Sequence, residues 1–202
     1  MLSIEKTTTN TIVIKKSQFI TTLIPCSDIN EAKVLINNVK NKYHDATHNC
    51  VAYIIGSNEK AEDNGEPSGT AGMPMLNVLK MQKLTNIIVI VTRYFGGIKL
   101  GAGGLTRAYT NSVVEALKKA NIVEKELVKK YLVTIDYSFT KKIEYLFKIN
   151  NIDILNTNYN DKVTYEMFIR DENIFDQIQE ITSNNYQHKV IGEDYIPTLN
   201  NQ

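Results

Sequence analysis

The chain of 202 residues is 43% hydrophobic and 22% charged with a net charge of +1, a composition typical of a globular protein rather than a disordered or collagenous one. No apolar run approaches the ~20 residues of a membrane-spanning helix, and the first ten residues (MLSIEKTTTN) lack the regions of a secretory signal. Two cysteines, Cys26 and Cys50, are too few for a disulfide framework, so we expect buried thiols in a cytoplasmic protein.

The first half of the chain alternates predicted strands and helices. Residues 14–25 predict a strand, and Asp28 followed three residues later by Glu31 predicts the capped start of a helix. The run NIIVIVTRY at 86–94 is almost continuously β-branched, which is typical of a strand buried on both faces. The other predicted elements are a strand over 49–56, a short helix over 75–82 and a long helix over 104–120.

The second half of the chain begins after a charged stretch at 121–130 and follows a βαββαβ order, typical of ferredoxin-like domains. The predicted elements are strands at 131–137, 152–159, 163–171 and near 187–196, with helices at 140–150 and 172–184. We therefore predict an α+β protein with two domains, residues 1–128 and 129–202. The second domain has no clustered chemistry, and we interpret it as a packing or interaction domain.

Two segments, NGEPSGTAGMP at 64–74 and YFGGIKLGAGG at 94–104, hold eight of the ten glycines. Neither completes a standard motif: Thr106 stands where a dinucleotide fingerprint needs glycine, Gly103 excludes a P-loop, and Ser68 is not in a G-x-S-x-G elbow. Glycine lets a backbone approach a ligand closely, and a loop that leads into a helix presents free N–H groups to anions. We therefore expect the two segments to form one surface site.

The charge around these segments is uneven, because no Asp or Glu occurs from Pro67 through Val114. The same stretch contains the cations Lys80, Lys83, Arg93, Lys99 and Arg107. An acidic cluster stands just upstream at Glu59, Glu62, Asp63 and Glu66. A basic surface with an acidic rim predicts an anionic partner such as RNA phosphate. The alternative is that the uneven charge arises by chance, because the absence of acids in this stretch is unusual but the number of cations is not.

The candidate site collects the residues that the two segments contribute. The anion, nucleic-acid or ligand-binding candidates are Arg93, Tyr94, Gly96, Gly97, Lys99, Gly101, Gly103, Gly104 and Arg107. The loop candidates are Asp63, Glu66, Ser68, Gly69 and Thr70. Arg107 falls in the first turn of the predicted helix, where the macrodipole disfavours a cation unless an anion binds beside it. A solvated arginine is the alternative.

Other roles remain open for several of these residues. Arg93 could form a structural ion pair with Asp63 or Glu66, and the acidic loop could hold a metal or act as an acid or base. His48 and Cys50 lie near His44, but no fourth zinc ligand is evident. We expect neither a metal nor a cofactor.

Three segments resemble the signature of the YigZ/IMPACT family: ATHNCVAY at 46–53, DNGEPSGTAGMPML at 63–76 and VTRYFGGIKLGAGGLTRAY at 91–109. The three segments occur in the same order as in the family, and this part of the resemblance covers residues 15–125. The remaining chain is similar to the C-terminal domain of the bacterial members. One difference is Asn64, because the family usually reads DDGEP. This chain therefore lacks the second carboxylate that a metal-binding or proton-transferring role at that position would use.

The resemblance implies a first domain with the left-handed βαβ fold shared with a ribosomal small-subunit protein, domain IV of elongation factor G and the GHMP kinases. It implies a second domain similar to domain V of elongation factor G. Eukaryotic IMPACT proteins modulate a stress kinase that phosphorylates an initiation factor, by competing for its activator. We therefore expect a translation-associated binding protein that contacts RNA, the ribosome or a partner protein. We expect a protein without enzymatic activity rather than an enzyme. The alternatives are an enzyme or sensor for a small phosphorylated ligand, and a rigid protein-binding epitope.

Overall fold

The structure of the protein, a computed structural model, describes residues 1–198. Within them the chain forms ten strands and five α-helices arranged around two antiparallel sheets, which confirms the predicted α+β class. The chain divides into two compact units, Met1–Lys125 with the described residues from Pro197 onward, and Glu126–Ile196. No helix within residues 1–198 is long and apolar enough to cross a membrane.

The first unit is built around a sheet with the strand order β2-β3-β6-β4-β5. Its elements are β1 (Leu2–Ile4), β2 (Thr8–Ile14), β3 (Ser17–Pro25), α1 (Ile29–Lys42), β4 (His48–Ile55), β5 (Asn58–Glu62), α2 (Gly72–Met81), β6 (Ile87–Tyr94), α3 (Ala102–Leu117) and the start of β7 (Ile122–Ile135). β6 is the central strand, and both of its neighbours run antiparallel to it.

β6 is buried on both faces, as its β-branched composition predicts. Ile87, Val89 and Val91 belong to the core that includes residues of α2 and α3, whereas Ile88 and Ile90 belong to the core that includes residues of α1. This division follows from the strand itself, because successive side chains point to opposite faces of a sheet. The unit therefore has one helix on one face of its sheet and two helices on the other.

The predicted start of α1 is confirmed. Asp28 is the N-cap residue, and its Oδ1 accepts hydrogen bonds from the backbone N–H groups of Asn30 and Glu31, both at 2.8 Å. These bonds satisfy two of the donors that a helix start leaves without an intrahelical partner. Ala32 and Ile36 are the buried residues of this helix and pack against the sheet.

The strand predicted over 14–25 is confirmed from Ser17 to Pro25, but its predicted start is wrong, because the chain reverses between Ile14 and Ser17. β2 ends at Ile14, β3 begins at Ser17, and Lys15 and Lys16 between them have φ angles of 46° and 65°. Positive φ at both central positions is the pattern of a type I′ hairpin turn. Lysine carries no signal for such a turn, unlike the usual Asn-Gly, so the sequence does not reveal the hairpin.

The two helices that follow the glycine segments begin earlier than predicted. α2 begins at Gly72 rather than at 75, and α3 begins at Ala102 rather than at 104. α3 also ends at Leu117 rather than at 120. The glycine composition favours a loop assignment, but Gly101 is the N-cap of α3 with φ 71°, and the glycines that follow it are already helical.

The second unit follows the predicted βαββαβ order, with the strands arranged β10-β7-β9-β8. Its elements after β7 are a 3-10 turn (Tyr137–Phe139), α4 (Thr140–Ile149), β8 (Ile154–Tyr159), β9 (Val163–Ile169), α5 (Ile174–Thr182) and β10 (Tyr186–Pro197). Val163, Tyr165, Met167 and Ile169 are buried, as their alternation predicts. The charged stretch at 121–130 is largely part of β7, whose first residues pair with β1 and whose later residues pair with β9.

Candidate functional site

Both glycine segments contribute to one pocket of about 370 Å³ in the first unit. The pocket is lined by Thr47, His48, Glu66, Pro67, Arg93, Phe95, Lys99, Leu100, Gly101, Ala102 and Leu105. The sheet brings the first of these together, since His48 at the start of β4 lies directly opposite Arg93 near the end of β6. The start of α3 completes the lining. Of the predicted site residues, the pocket therefore includes Glu66, Arg93, Lys99 and Gly101.

Arg93 and Glu66 form a buried ion pair at this pocket. Arg93 Nη1 donates to Glu66 Oε1 at 2.6 Å, and the side chains are 6% and 3% exposed. The guanidinium also lies 5.4 Å and 5.5 Å from the ring centroids of Phe19 and Phe95 and donates to Ser17 Oγ at 3.4 Å. Its Nε has no hydrogen-bond partner within the described residues. Arg93 is therefore a paired structural cation rather than a free surface charge.

Tyr94 lies apart from Arg93 although the two are adjacent in sequence. The alternation along β6 places Arg93 on the face of Val91, which packs with α2 and α3, and Tyr94 on the opposite face. The Tyr94 hydroxyl donates to Asp45 Oδ1 at 2.8 Å. Tyr94 therefore does not line the pocket.

Tyr109 and Cys50 extend the hydrogen-bond network of the Glu66 carboxylate. The Tyr109 hydroxyl donates to Glu66 Oε1 at 2.8 Å, and Cys50 Sγ donates to the Tyr109 hydroxyl at 3.3 Å. Burial, reinforced by the neighbouring Cys50 and Glu66, raises the pKa of Tyr109 well above its usual value. Burial also raises the pKa of Cys50 to about 12. Both groups are therefore neutral at physiological pH and act as hydrogen-bond donors.

The ring of His48 is held in one orientation at the pocket. Its Nδ1 lies 2.9 Å from the backbone oxygen of Asn64, and its Nε2 lies 3.7 Å from Glu66 Oε2. A carbonyl oxygen only accepts, so the Nδ1 atom carries a proton and donates it in this bond. In the neutral ring Nε2 is then an unprotonated acceptor on the side of Glu66. The sequence suggests His48 only as a zinc ligand and gives no sign of this position.

Asp63 organises the first glycine segment. Its Oδ2 accepts from the backbone N–H of Gly69 at 2.8 Å, and its Oδ1 accepts from those of Ala71 at 3.0 Å and Gly72 at 2.8 Å. Partial burial disfavours the charged form, but the three donors outweigh it and hold the pKa of Asp63 below its usual value. The Asp63 carboxylate therefore stabilises the conformation of the first glycine segment through its hydrogen bonds to that backbone.

The other loop candidates have structural or exposed positions. The Thr70 hydroxyl is buried and donates to the backbone oxygen of Pro67 at 2.7 Å. Ser68 is exposed and does not line the pocket. Asn64, the residue that differs from the family signature, has φ 45° and accepts from the backbone N–H of Asn49 through Oδ1 at 2.8 Å. An amide oxygen performs this task as an acid would.

The second glycine segment begins against the β2–β3 turn. A Cβ atom on Gly96 would lie 2.0 Å from the backbone carbon of Lys16, and the Gly96 N–H donates to Ser17 Oγ at 3.1 Å. Only glycine fits a backbone approach this close. Gly97 is exposed and does not line the pocket.

Two cations lie near the N-terminus of α3, which has no side-chain cap among residues 1–198. Gly101 is the N-cap, and Gly103 and Gly104 occupy the first turn, where N–H groups lack intrahelical partners. Arg107 lies in the second turn, which corrects the predicted first-turn position. Its guanidinium nevertheless reaches back, because its Nη1 lies 3.6 Å from the position of a Cβ on Gly103. Neither Arg107 nor Lys99 forms an ion pair within residues 1–198.

The remaining charges of this region are divided between pairs and open positions. Lys80 pairs with Glu59 at 2.6 Å, and Glu62 of the predicted acidic rim pairs with Lys40 and Lys60, both at 2.7 Å. The uncompensated cations of the predicted basic stretch are therefore concentrated at Lys83, Lys99 and Arg107 among the described residues.

The fold and the pocket define a two-unit α+β protein with a ligand-sized depression between two glycine segments. The Impact N-terminal domain family matches residues 15–117, and a domain of unknown function (DUF1949) matches residues 133–185. The chain therefore belongs to the IMPACT family, which confirms the resemblance found in its sequence.

Individual relatives extend over most of the chain. IMPACT family member YvyE of Bacillus subtilis is 45% identical over 164 residues, which are 80% of this chain and 76% of YvyE. IMPACT family member YigZ of Escherichia coli is 37% identical over 151 residues, which are 72% of this chain and 74% of YigZ. A solved structure titled "Crystal structure of an hypothetical protein" matches with a TM-score of 0.65 at 31% identity, covering 96% of this chain and 98% of that one.

Proposed function

We propose that this IMPACT family member is a cytoplasmic, translation-associated binding protein whose pocket receives a phosphate-bearing partner. The observation that carries the proposal is the shared position of Lys99 and the uncapped start of α3 at one pocket. A helix N-terminus with free N–H groups favours an anion. Lys99 and Arg107 add positive charge there, whereas the charge of Arg93 is already neutralised by Glu66.

RNA, alone or within the ribosome, is the first source of such a phosphate. Lys83, Lys99 and Arg107 are cations without an ion pair in the described part of the chain, and they all lie in the acid-free stretch. Cations of this kind give RNA affinity that falls steeply with salt, because each neutralised phosphate releases counterions. The family's implied link to translation points in the same direction.

A small phosphorylated ligand is the second source, favoured by the shape of the site. The pocket volume of about 370 Å³ lies in the range of small-molecule pockets. Phe95, Leu100 and Leu105 give it apolar walls next to its few polar groups. An extended RNA surface does not need such a recess, whereas a single phosphate ester fits it.

The test compares the wild type with the double variant Lys99→Gln/Arg107→Gln. Each protein is melted with inorganic phosphate, sulfate and nucleotides at matched ionic strength, and is sedimented with ribosomes over a range of salt concentrations. A matched control is Lys33→Gln, which removes an exposed charge from α1 on the other face of the sheet, where Lys33 forms no ion pair with any of residues 1–198. A ligand at a hundredfold excess over Kd stabilises the wild type by about 2.7 kcal/mol.

The two sources give different results. Stabilisation by one small phosphate ester that the double variant loses and Lys33→Gln keeps identifies a small ligand. Ribosome binding that weakens with salt and in the double variant, without a melting shift, identifies RNA. A wild type that responds to no anion and sediments with ribosomes no better than the double variant contradicts the proposal.

A further inference from the structure

We infer that the partner presents hydroxyl groups to His48 and Glu66, so that the pocket is specific for a hydroxylated phosphate ester such as a sugar phosphate. This inference deepens the proposed function and rests on it. The same chemistry occurs in a free sugar or polyol phosphate and in the terminal ribose of an RNA chain. Recognition of the hydroxyl groups requires two fixed, adjacent acceptor atoms that receive no hydrogen bond from any described residue.

His48 provides the first acceptor. The backbone oxygen of Asn64, 2.9 Å from Nδ1, fixes the proton on that nitrogen and leaves Nε2 as the accepting atom. Gly65 supports the ring from one side, since a Cβ there would lie 3.3 Å from Nδ1. His48 Nε2 makes no hydrogen bond within residues 1–198, and its nearest polar neighbour is Glu66 Oε2 at 3.7 Å.

Glu66 provides the second acceptor. Its Oε1 already accepts from Arg93 Nη1 at 2.6 Å and from the Tyr109 hydroxyl at 2.8 Å. These two bonds fix the carboxylate, and its Oε2 makes no hydrogen bond to any other described residue. Because Glu66 is buried and lines the pocket, a donor for Oε2 has to arrive through the pocket.

The two free acceptors determine the chemistry of the group that fits between them. A separation of 3.7 Å between His48 Nε2 and Glu66 Oε2 is too long for a direct hydrogen bond. A phosphate oxygen would be repelled there, since neither Glu66 Oε2 nor the Nε2 atom of the neutral His48 ring has a proton to donate to it. A hydroxyl donates to one of them, and a vicinal diol donates to both. The phosphate is therefore directed to Lys99 and the start of α3, and the hydroxyls to His48 and Glu66.

The experiment uses pairs of ligands that differ only in their hydroxyls. For the small-ligand arm, Kd is measured by calorimetry for glycerol 3-phosphate and for propyl phosphate, which has the same carbon chain without hydroxyls. For the RNA arm, the same oligoribonucleotide is compared with a terminal ribose diol and with a terminal 2′,3′-dideoxyribose. We expect about a tenfold tighter Kd for the hydroxylated partner in at least one arm, as one charge-assisted hydrogen bond supplies.

The variant His48→Phe keeps an aromatic side chain but removes both ring nitrogens, the Nε2 acceptor and the Nδ1 donor to the backbone oxygen of Asn64. We expect it to reduce the hydroxyl-dependent ratio of Kd values severalfold, because the hydroxyl loses one of its two acceptors. His44→Phe is the matched control, because His44 is exposed, does not line the pocket, and bonds to the backbone oxygen of Asn41. An advantage confined to one arm identifies the source of the ligand.

Equal affinity for the hydroxylated and dehydroxylated partners in both arms overturns this inference while phosphate binding itself stands. A ratio that His48→Phe leaves unchanged overturns the assignment to His48 in the same way. A wild type that binds none of these phosphates overturns the proposed function as well, so the two failures are distinguishable.

Discussion

The guanidinium of Arg93 and the carboxylate of Glu66, 27 residues apart in the chain, form a buried ion pair with a 2.6 Å contact. The pair joins the end of the central strand to the first glycine segment. It also fixes the direction of Glu66 Oε2, the acceptor assigned above to the partner's hydroxyl. One interaction therefore contributes both to the stability of the first unit and to the shape of its pocket.

Breaking this pair is expected to destabilise the fold. Arg93→Met leaves the Glu66 carboxylate buried without its cation, which lowers the free energy of unfolding by about 3–5 kcal/mol. Adding Glu66→Gln removes the orphaned charge and should recover part of the loss. Urea denaturation at neutral pH measures both effects.

Lys80→Ala serves as the control for the Arg93 variant. It breaks the exposed Lys80–Glu59 pair, whose side chains are 45% and 43% exposed, so a change within about 1 kcal/mol is expected. A loss of stability in Arg93→Met as small as that in Lys80→Ala would show that the buried pair contributes little to the stability of the fold.

Asp63→Asn tests the carboxylate that holds the first glycine segment. The folded-state pKa of Asp63 is lowered, so its contribution is fully present above the unfolded pKa and is lost as pH falls through the folded pKa. At neutral pH the variant should lose on the order of 2 kcal/mol of unfolding free energy, because backbone donors lose a charged acceptor. The difference from the wild type should shrink as the pH falls through the ordinary pKa of Asp and then through the lowered folded-state pKa of Asp63.

Denaturation curves at several pH values provide this measurement, with Asp153→Asn as the control. Asp153 is exposed and makes no hydrogen bond within residues 1–198. A constant difference between wild type and Asp63→Asn across the acid range would contradict the assigned role.

Gly96→Ala tests the contact between the second glycine segment and the β2–β3 turn. The added methyl would lie 2.0 Å and 2.1 Å from the backbone carbon and oxygen of Lys16, so backbone has to move. We expect a loss of about 1–3 kcal/mol in thermal unfolding. Gly192→Ala is the control, since no atom of the described residues lies within 4 Å of a Cβ at that position and its φ is not positive. Equal stability of the two variants would show that the turn yields easily.

Asn64→Asp tests the residue that departs from the family signature. Asp retains the Oδ oxygen that accepts from the Asn49 N–H, and it tolerates φ 45° as Asn does. We expect a stability change within about 1 kcal/mol for Asp, but a loss of about 1–3 kcal/mol for Asn64→Ala, which leaves the Asn49 N–H without its acceptor. Thermal melts of both variants suffice, and an equal loss in the two would contradict this account of Asn64.

Much of the fold follows from local sequence pattern. The β-branched run of β6 predicts burial on both faces, and Asp28 with Glu31 predicts the start of α1. The missed elements lack such signals. The strand β5 reads NEKAE and is mostly exposed, so it forms by pairing with β4 rather than by burying apolar residues of its own. Lys15 and Lys16 form their turn without glycine or asparagine.

The candidate site was harder to predict because it depends on register and side-chain direction. Charge alone suggests Arg93 and Glu66 as partners, and the structure contains the ion pair that this alternative predicts. The position of His48 depends on the pairing of β4 with β6, which sequence spacing does not reveal. Tyr109 is indistinguishable from the other apolar residues of its helix until its hydroxyl is seen to reach Glu66.

The pairing of β1 with the start of β7 determines where the chain can be shortened for study. Leu2 and Ile4 lie opposite Glu124 and Ile122, and Ile4 is fully buried. A fragment ending at residue 117, where the first family match stops, keeps every pocket residue but leaves β1 as an open edge, which invites aggregation. A fragment that retains the chain through Lys125 keeps that strand partner, so the pocket is best isolated with those eight additional residues.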